Sequence, residues 1–375
     1  MWVADMDLPV ASFIQEAIRE RTLHPFYGYS FADEGYRQAF VDWQERRHRW
    51  MIDRQTLLFA PGVMPAIRAA VLELTDPGDE VIIQPPVYYP FFGAVSDNGR
   101  TVKENNLVFE NGRYVMNLDE LERMIGPRTK MLMLCSPHNP VGRVWSQQEL
   151  SRLSAIVLEH NLIVISDEIH ADIRRAGTPF VPFASLGPEV AARTIACHAP
   201  SKTFNIPGIA SAHLIIADPT LRRRMNHALE RLGLTLPNIL SLEASQAAYR
   251  YGDQWVDGLC RYLDSQVAWF HEQLASRFGS PTGDGPPLLR ASWIEGTYLA
   301  WIDFRPLMER TGTDDAQVQD ALFEHAALWL NSGSTFGSPG RGFHRMNLAC
   351  PPSYLAKGFA RLEQAVAFLQ EQRSG

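Results

Sequence analysis

In the stretch HAPSKTFNIPG, residues 198–208, Lys202 stands between a serine and a threonine, just after a run of small apolar residues. A lysine there is either an ordinary loop charge or a desolvated amine; burial lowers an amine's pKa and lets it attack a carbonyl to form a Schiff base. Upstream, SPHNPVGRVW (136–145) brackets Asn139 with two prolines. Proline restrains its own φ and the residue before it, so the Asn139 amide is held in a set direction, as a turn residue or as a hydrogen-bond donor to a ligand. In ISDEIHAD (165–172), Asp167 closes an apolar run at a strand terminus. A carboxylate buried there needs a cationic partner, and with no metal-ligand cluster in the sequence that partner belongs to the protein or to a cofactor.

Two further stretches add binding groups. In FAPGVMPAIRAAVLEL (59–74), Gly62 precedes an apolar-periodic helix. The free backbone N–H groups near Gly62, Val63 and Met64 would suit a phosphate. QPPVYYPFF (84–92) places Tyr88 and Tyr89 just past a strand end, where their rings either join the core or stack on a flat ligand. An amine, a buried carboxylate for a ring nitrogen, an amide for a phenolic oxygen, a stacking ring and a helix N-terminus together describe a site for a planar, phosphorylated, aldehyde-bearing ring. Pyridoxal 5′-phosphate fits every element.

The surrounding pattern says how these groups would meet. EVIIQPP, KMLMLCSP, LIVISDE, RTIACHAP and SAHLIIAD read as strands rich in Ile, Val and Leu and bounded by Pro, Asp or Ser. Helical stretches alternate with them, as in SQQELSRLSAIVLEHN (146–161), where Ser146 and Glu149 spell a capping box. The alternation predicts an α/β fold with a mainly parallel sheet covered by helices on both faces. Ligands collect at the carboxyl ends of such strands, and Asn139, Asp167 and Lys202 all fall at or just beyond those ends. After about residue 260 come a long helix, short strands in TYLAWIDF, LWLNSG and HRMNLACP, and a final helix over 353–371. This predicts a smaller α+β domain, with FGSPTGDGPP (278–287) as a surface loop. The expected division is an N-terminal segment 1–40 contributing to the small domain and a dimer contact, a large cofactor-binding domain 41–258 and a small domain 259–375.

Composition bounds the function. The 375 residues carry a net charge of −7, which argues against electrostatic nucleic-acid binding. Arg222, Arg223 and Arg224 with His227 and Arg231 lie at helical spacing and read as a solvated helix face. Cys135, Cys197, Cys260 and Cys350 are far apart and form no CxxC pair, so neither a metal site nor a disulfide framework is expected. A reducing cytoplasm fits best. The N-terminus lacks a basic leader and no apolar run approaches ~18 residues, so secretion and membrane insertion are not expected.

MWVADMD, PGVMPAI, PPVYYPFF, CSPHNPVGRVW, SDEIHADI, PSKTFNIPG and RMNLACP, in that order, resemble the fold-type I pyridoxal-phosphate enzymes of the class I/II aminotransferase superfamily, and within it the MalY/PatB-like cystathionine β-lyase (C–S lyase) branch. The resemblance covers nearly the whole chain. It implies that Lys202 holds the cofactor and moves the Cα proton, Asp167 keeps the pyridine nitrogen protonated, Asn139 binds the ring oxygen and Tyr88 stacks on the ring. It implies that Gly62, Val63, Met64 and Ser201 meet the phosphate, that Arg345 grips the substrate α-carboxylate, and that Tyr89 is an acid or proton relay near the leaving group. It implies a homodimer in which Tyr29 reaches the neighbouring site. Three departures matter. His170 stands where many aminotransferases have a tyrosine three residues after the aspartate, so its ring contact differs. Ala210 replaces an arginine that often follows the lysine by eight residues, which shifts phosphate binding onto the helix terminus and hydroxyls. The chain begins at MWVADMD, where relatives have a further segment, so a shortened or absent arm is expected.

The leading expectation is β-elimination on L-cystathionine or another L-cysteine S-conjugate, giving thiol, ammonia and pyruvate. An aminotransferase uses the same groups, and a pathway enzyme acting on an unusual S-conjugate stays open. So does a non-catalytic binding protein, against which the intact set Lys202, Asp167, Asn139 and Arg345 argues.

Overall fold

The computed structural model describes residues 1–279 and 286–372. Its strands are β1 (Leu57–Ala60), β2 (Glu80–Ile83), β3 (Thr101–Glu104), β4 (Val108–Glu110), β5 (Arg113–Val115), β6 (Thr129–Cys135), β7 (Ile163–Asp167), β8 (Thr194–His198), β9 (Ala212–Ile215), β10 (Arg290–Ala291), β11 (Leu299–Asp303), β12 (Asn331–Ser332) and β13 (Phe343–Asn347). Seven of them form one sheet in the order β1-β9-β8-β7-β6-β2-β3. The pairs from β8 through to β3 are parallel, and β9 alone runs antiparallel to both neighbours. The mainly parallel sheet expected from the alternating pattern is thus present, with one reversed strand.

Strand β6 shows why the sheet is covered on both sides. Successive side chains of a strand point to opposite faces. Met131, Met133 and Cys135 enter a core with Ile67, Val71 and Phe91, whereas Leu132 and Leu134 enter another with Trp145, Leu150 and Leu153. The first core lies beneath the helices Val63–Leu74 and Pro219–Arg231, the second beneath Gln147–Glu159. On the outer face of Pro219–Arg231 the basic residues Arg223, Arg224, His227 and Arg231 are exposed, with Arg224 and Arg231 reaching Glu73, whereas Arg222 is half-buried and donates to the Ile216 carbonyl.

A second, antiparallel sheet runs in the order β10-β11-β13-β12 and packs on the helices Asp253–Phe278 and Pro352–Glu371 through Phe270, Leu274, Ile302, Met346 and Phe359. The helix Asp253–Phe278 spans 26 residues and feeds several cores, from Val256 at one end to Phe278 at the other. In LWLNSG only Asn331 and Ser332 are strand. Of the loop expected at FGSPTGDGPP, residues 280–285 lie outside the described residues. Among the described residues no helix is long and apolar enough to cross a membrane.

Candidate active site

The parallel register brings the carboxyl ends of β6, β7 and β8 to one edge, where Cys135, Asp167 and Cys197 are aligned neighbours. A cavity of about 390 Å³ opens there, lined by residues that include Gly62, Val63, Met64, Tyr88, Tyr89, Asn139, Asp167, His170, Lys202 and Arg345. These groups come from six stretches of chain. Two expected residues are not in the lining: Ser201 is half-buried beside Lys202 in a short helix, and Tyr29 is 89% exposed.

Each side chain has a local reason for its place. Asp167 ends β7, and its Oδ1 accepts from the Ile169 N–H at 3.2 Å. Burial pushes its carboxyl up to about 6, against the pull of that hydrogen bond and of the His198 and Lys202 charges. Lys202 lies four residues past the end of β8 rather than on it, in the short helix Pro200–Thr203 that Pro200 starts. Burial first, and then the nearby Arg345 charge, push its amine below the usual lysine range. Its Nζ donates to the Ala4 carbonyl at 2.6 Å.

Arg345 comes from the middle of β13 in the second sheet and is buried. One terminal nitrogen donates to Asn139 Oδ1 at 3.0 Å and the other to the Trp2 carbonyl at 2.7 Å, while Phe336 packs against the guanidinium at 5.1 Å. Burial pulls its pKa down to about 10. Because Asn139 Oδ1 accepts from Arg345, the amide NH2 is left for the cavity. His170 is buried beside Lys202 and Arg345; burial and those two charges hold its imidazole down at about 3, so it is neutral at physiological pH. Tyr88 is half-buried, its phenol pushed up to about 12 by burial and by Asp167. Tyr89 is exposed at the start of the helix Pro90–Ser96, with its ring edge-on to Phe336 at 5.9 Å.

Gly62 caps the helix Val63–Leu74 with φ 151°, a conformation that side chains other than glycine rarely adopt. Among the described residues no side chain caps this terminus. The N–H groups of Val63 and Met64 are therefore available to an anion at the end of a 12-residue helix dipole.

Sequence reasoning missed part of the lining. Trp2, Val3, Ala4, Pro65, Cys135, Ile169 and Asn331 also face the cavity. The motif MWVADMD was visible, but nothing local in it said that residues 2–4 would line a site otherwise built from Gly62 onward. Buried beneath that site, Asp172 accepts from Thr203 Oγ1 at 2.9 Å, from Trp43 Nε1 at 3.1 Å and pairs with His48 at 3.0 Å. Burial alone would raise its carboxyl, but His48, the Thr203 hydroxyl and the Arg47 charge outweigh it and hold the carboxyl down at about 2.

Residues 5–362 match the family described as aminotransferase class I and II. The chain belongs to that family. It is 36% identical to cystathionine beta-lyase PatB of Bacillus subtilis (strain 168) over 98% of this chain and 92% of that protein. It is 34% identical to protein MalY of Escherichia coli (strain K12) over 97% of this chain and 90% of that one. Among solved structures, cystalysin from Treponema denticola, which contains a pyridoxal 5′-phosphate cofactor, superimposes with a TM-score of 0.93. It is 34% identical, over 98% of this chain and 91% of that one. The fold is that of the fold-type I pyridoxal-phosphate transferases.

Proposed function

We propose that this protein catalyses pyridoxal-phosphate-dependent β-elimination on L-cystathionine or another L-cysteine S-conjugate, releasing thiol, ammonia and pyruvate. The observation that carries the reading is the convergence of a desolvated amine, a buried carboxylate and an arginine on one cavity. The β-lyase relatives, similar over nearly the full chain, favour elimination over transamination.

The residues fit the cofactor. A carboxylate pushed up by burial at the cavity wall is poorly matched by protein groups alone, and a protonated pyridine nitrogen is the partner that would keep it ionised. The uncapped N–H groups of Val63 and Met64, with Gly62 and the Ser201 hydroxyl, would hold the phosphate. Asn139 would donate its amide NH2 to the ring oxygen, Tyr88 would stack on the ring, and neutral His170 would pack beside it. When bound, the cofactor supplies an electron sink that makes the substrate Cα–H acidic.

The remaining work falls to this chain's side chains. Arg345 has one N–H on each terminal nitrogen engaged by Asn139 and Trp2. The second N–H of each forms a preset fork for the α-carboxylate. Lys202, with its amine pKa lowered, takes the Cα proton. Tyr89, at the mouth, would pass a proton to the departing sulfur.

We further propose a cytoplasmic homodimer in which Tyr29 serves the partner's site. The exposure of Phe26, Tyr27, Tyr29 and Phe31 in succession supports the dimer, and four unpaired cysteines support a reducing compartment. The deciding experiment is to incubate the purified holoenzyme with several cysteine S-conjugates and no keto acid. Pyruvate, ammonia and thiol should form in equal amounts over many turnovers, because the electrons released at Cα lie beside the C–S bond. A strict requirement for a keto acid across the panel would make the protein an aminotransferase.

A further inference from the structure

The Ala4 carbonyl accepts two hydrogen bonds, one from Lys202 Nζ at 2.6 Å and one from the Tyr298 hydroxyl at 2.8 Å. A carbonyl oxygen has two lone pairs, so both are engaged and the oxygen is held from two sides. Its neighbours are clamped in the other direction. The Asn347 amide donates to the Val3 carbonyl at 2.7 Å and to the Asp5 carbonyl at 2.6 Å. The Asn347 side-chain oxygen is itself held by the Ala349 N–H at 2.8 Å. Asn347 thus brackets Ala4, and the intervening carbonyl is the one that faces the amine.

Tyr298 is built to hold that position. Its ring is fully buried and edge-on to His170, with ring centroids 5.8 Å apart. Thr297, just before it, has φ 66°, a region that a β-branched residue avoids, and its N–H is tied to the Ile173 carbonyl at 2.8 Å. Such a conformation persists only where the surroundings impose it, and here it directs the next residue at the Ala4 carbonyl.

We propose that Tyr298 is a positioning residue for proton transfer: acting through the Ala4 carbonyl, with Asn347 bracketing it, Tyr298 sets where the free Lys202 amine rests. The proposal depends on Lys202 being the base at Cα, and is indifferent to whether elimination or transamination follows. An amine able to swing loses the alignment that makes proton transfer fast, and a misplacement of about 1 Å can cost roughly a hundredfold.

The test is Tyr298→Phe, which removes the hydroxyl and keeps the buried ring. In the holoenzyme, exchange of the Cα proton of L-alanine in deuterated water is followed by NMR, because that substrate has no leaving group and isolates the proton step. Exchange and kcat on a cysteine S-conjugate should fall roughly 10- to 100-fold. KM and cofactor content should stay within about threefold and the isotope effect with Cα-deuterated substrate should rise, as expected when the proton step alone is slowed. Asn347→Ala should move the same readouts, and the double variant should lose no more than the larger single loss, because both act through one carbonyl. Exchange within about twofold of wild type in both variants would overturn the proposal. So would a loss confined to KM or cofactor content, or full additivity. If wild type exchanges the proton but forms pyruvate only with a keto acid, the lyase reading fails, whereas the Tyr298 comparison still decides its role.

Discussion

At the scale of single residues, the site sets function against stability at Asp167. Its folded pKa of about 6 lies above the ordinary carboxylate value of 3.8. Between those two values the folded apoenzyme holds a proton that the unfolded chain has lost, so stability falls as pH rises from about 4 to about 6 and is level above. The loss is on the order of 2–3 kcal/mol. Asp167→Asn should therefore stabilise the apoenzyme at pH 8, leave it little changed near pH 4, and sharply weaken cofactor binding. Denaturant melts of the two apoenzymes at both pH values, with cofactor titrations, check this. Equal stability at pH 8 would mean that Asp167 is already ionised at no cost. Asp172, only five residues on, has the opposite sign, because its carboxyl is held down at about 2; what it contributes is present above about pH 4 and lost as pH falls towards 2. Two buried carboxylates of one segment thus differ because His48, Thr203 and Arg47 stabilise the charge on one, whereas burial dominates at the other, which faces the cavity.

At the scale of elements, the helix Gln147–Glu159 supports the loop that carries Asn139. Ser146 Oγ accepts from the Glu149 N–H at 3.2 Å, and the Glu149 carboxylate accepts from the Ser146 N–H at 2.8 Å. The same carboxylate receives Arg143, a fully buried side chain of the Asn139 loop, which also binds Glu295 at 2.8 Å. The cap and the loop anchor therefore share one group. Ser146→Ala should cost about 1 kcal/mol of stability, as the loss of an N-cap does, with kcat unchanged. Glu149→Ala should cost more, up to about 3 kcal/mol, because it leaves the buried guanidinium with one carboxylate instead of two. Urea unfolding of both variants measures the difference. A smaller effect from Glu149→Ala than from Ser146→Ala would show that Glu295 alone suffices for Arg143.

At the scale of the whole molecule, the site joins two sheets: Asp167 ends one strand of the seven-stranded sheet and Lys202 follows another, Arg345 belongs to the four-stranded one, and the carbonyls of Trp2 and Ala4 meet Arg345 and Lys202. The exposed aromatic segment around Tyr29 lies apart from this cavity. A homodimer would cover that segment and bring Tyr29 to the partner's cavity. Sedimentation should find a dimer, and specific activity should fall when dilution separates the subunits. Tyr29→Phe should lower turnover with cofactor content nearly intact. Full activity from a monomer at low concentration would contradict the shared site.

The strands that deliver Asp167 and Lys202 were legible because buried parallel strands read as continuous Ile, Val and Leu runs and because polar or proline residues end them. The Gly62 helix start and the Ser146–Glu149 box were legible for the same local reason: each is a matter of a few consecutive residues. The reversed direction of β9 was not, since an apolar run carries no mark of the direction in which it pairs. The exposed edge strand β3 was too short and too polar to announce itself, and the apolar residues of β1 run on directly into the stretch that leads to the Gly62 helix, so no boundary marked them as a strand. Nor could the sequence show that Tyr298 and Ala4, 294 residues apart, share a carbonyl with Lys202, or that Arg345 reaches the Trp2 main chain across 343 residues. Local spelling determined which groups could do the chemistry and which elements would hold them. Their distances, the orientation of the Asn139 amide and the desolvation of Lys202 were decided only by tertiary packing, because hydrogen-bond geometry and burial depend on neighbours that chain order does not supply.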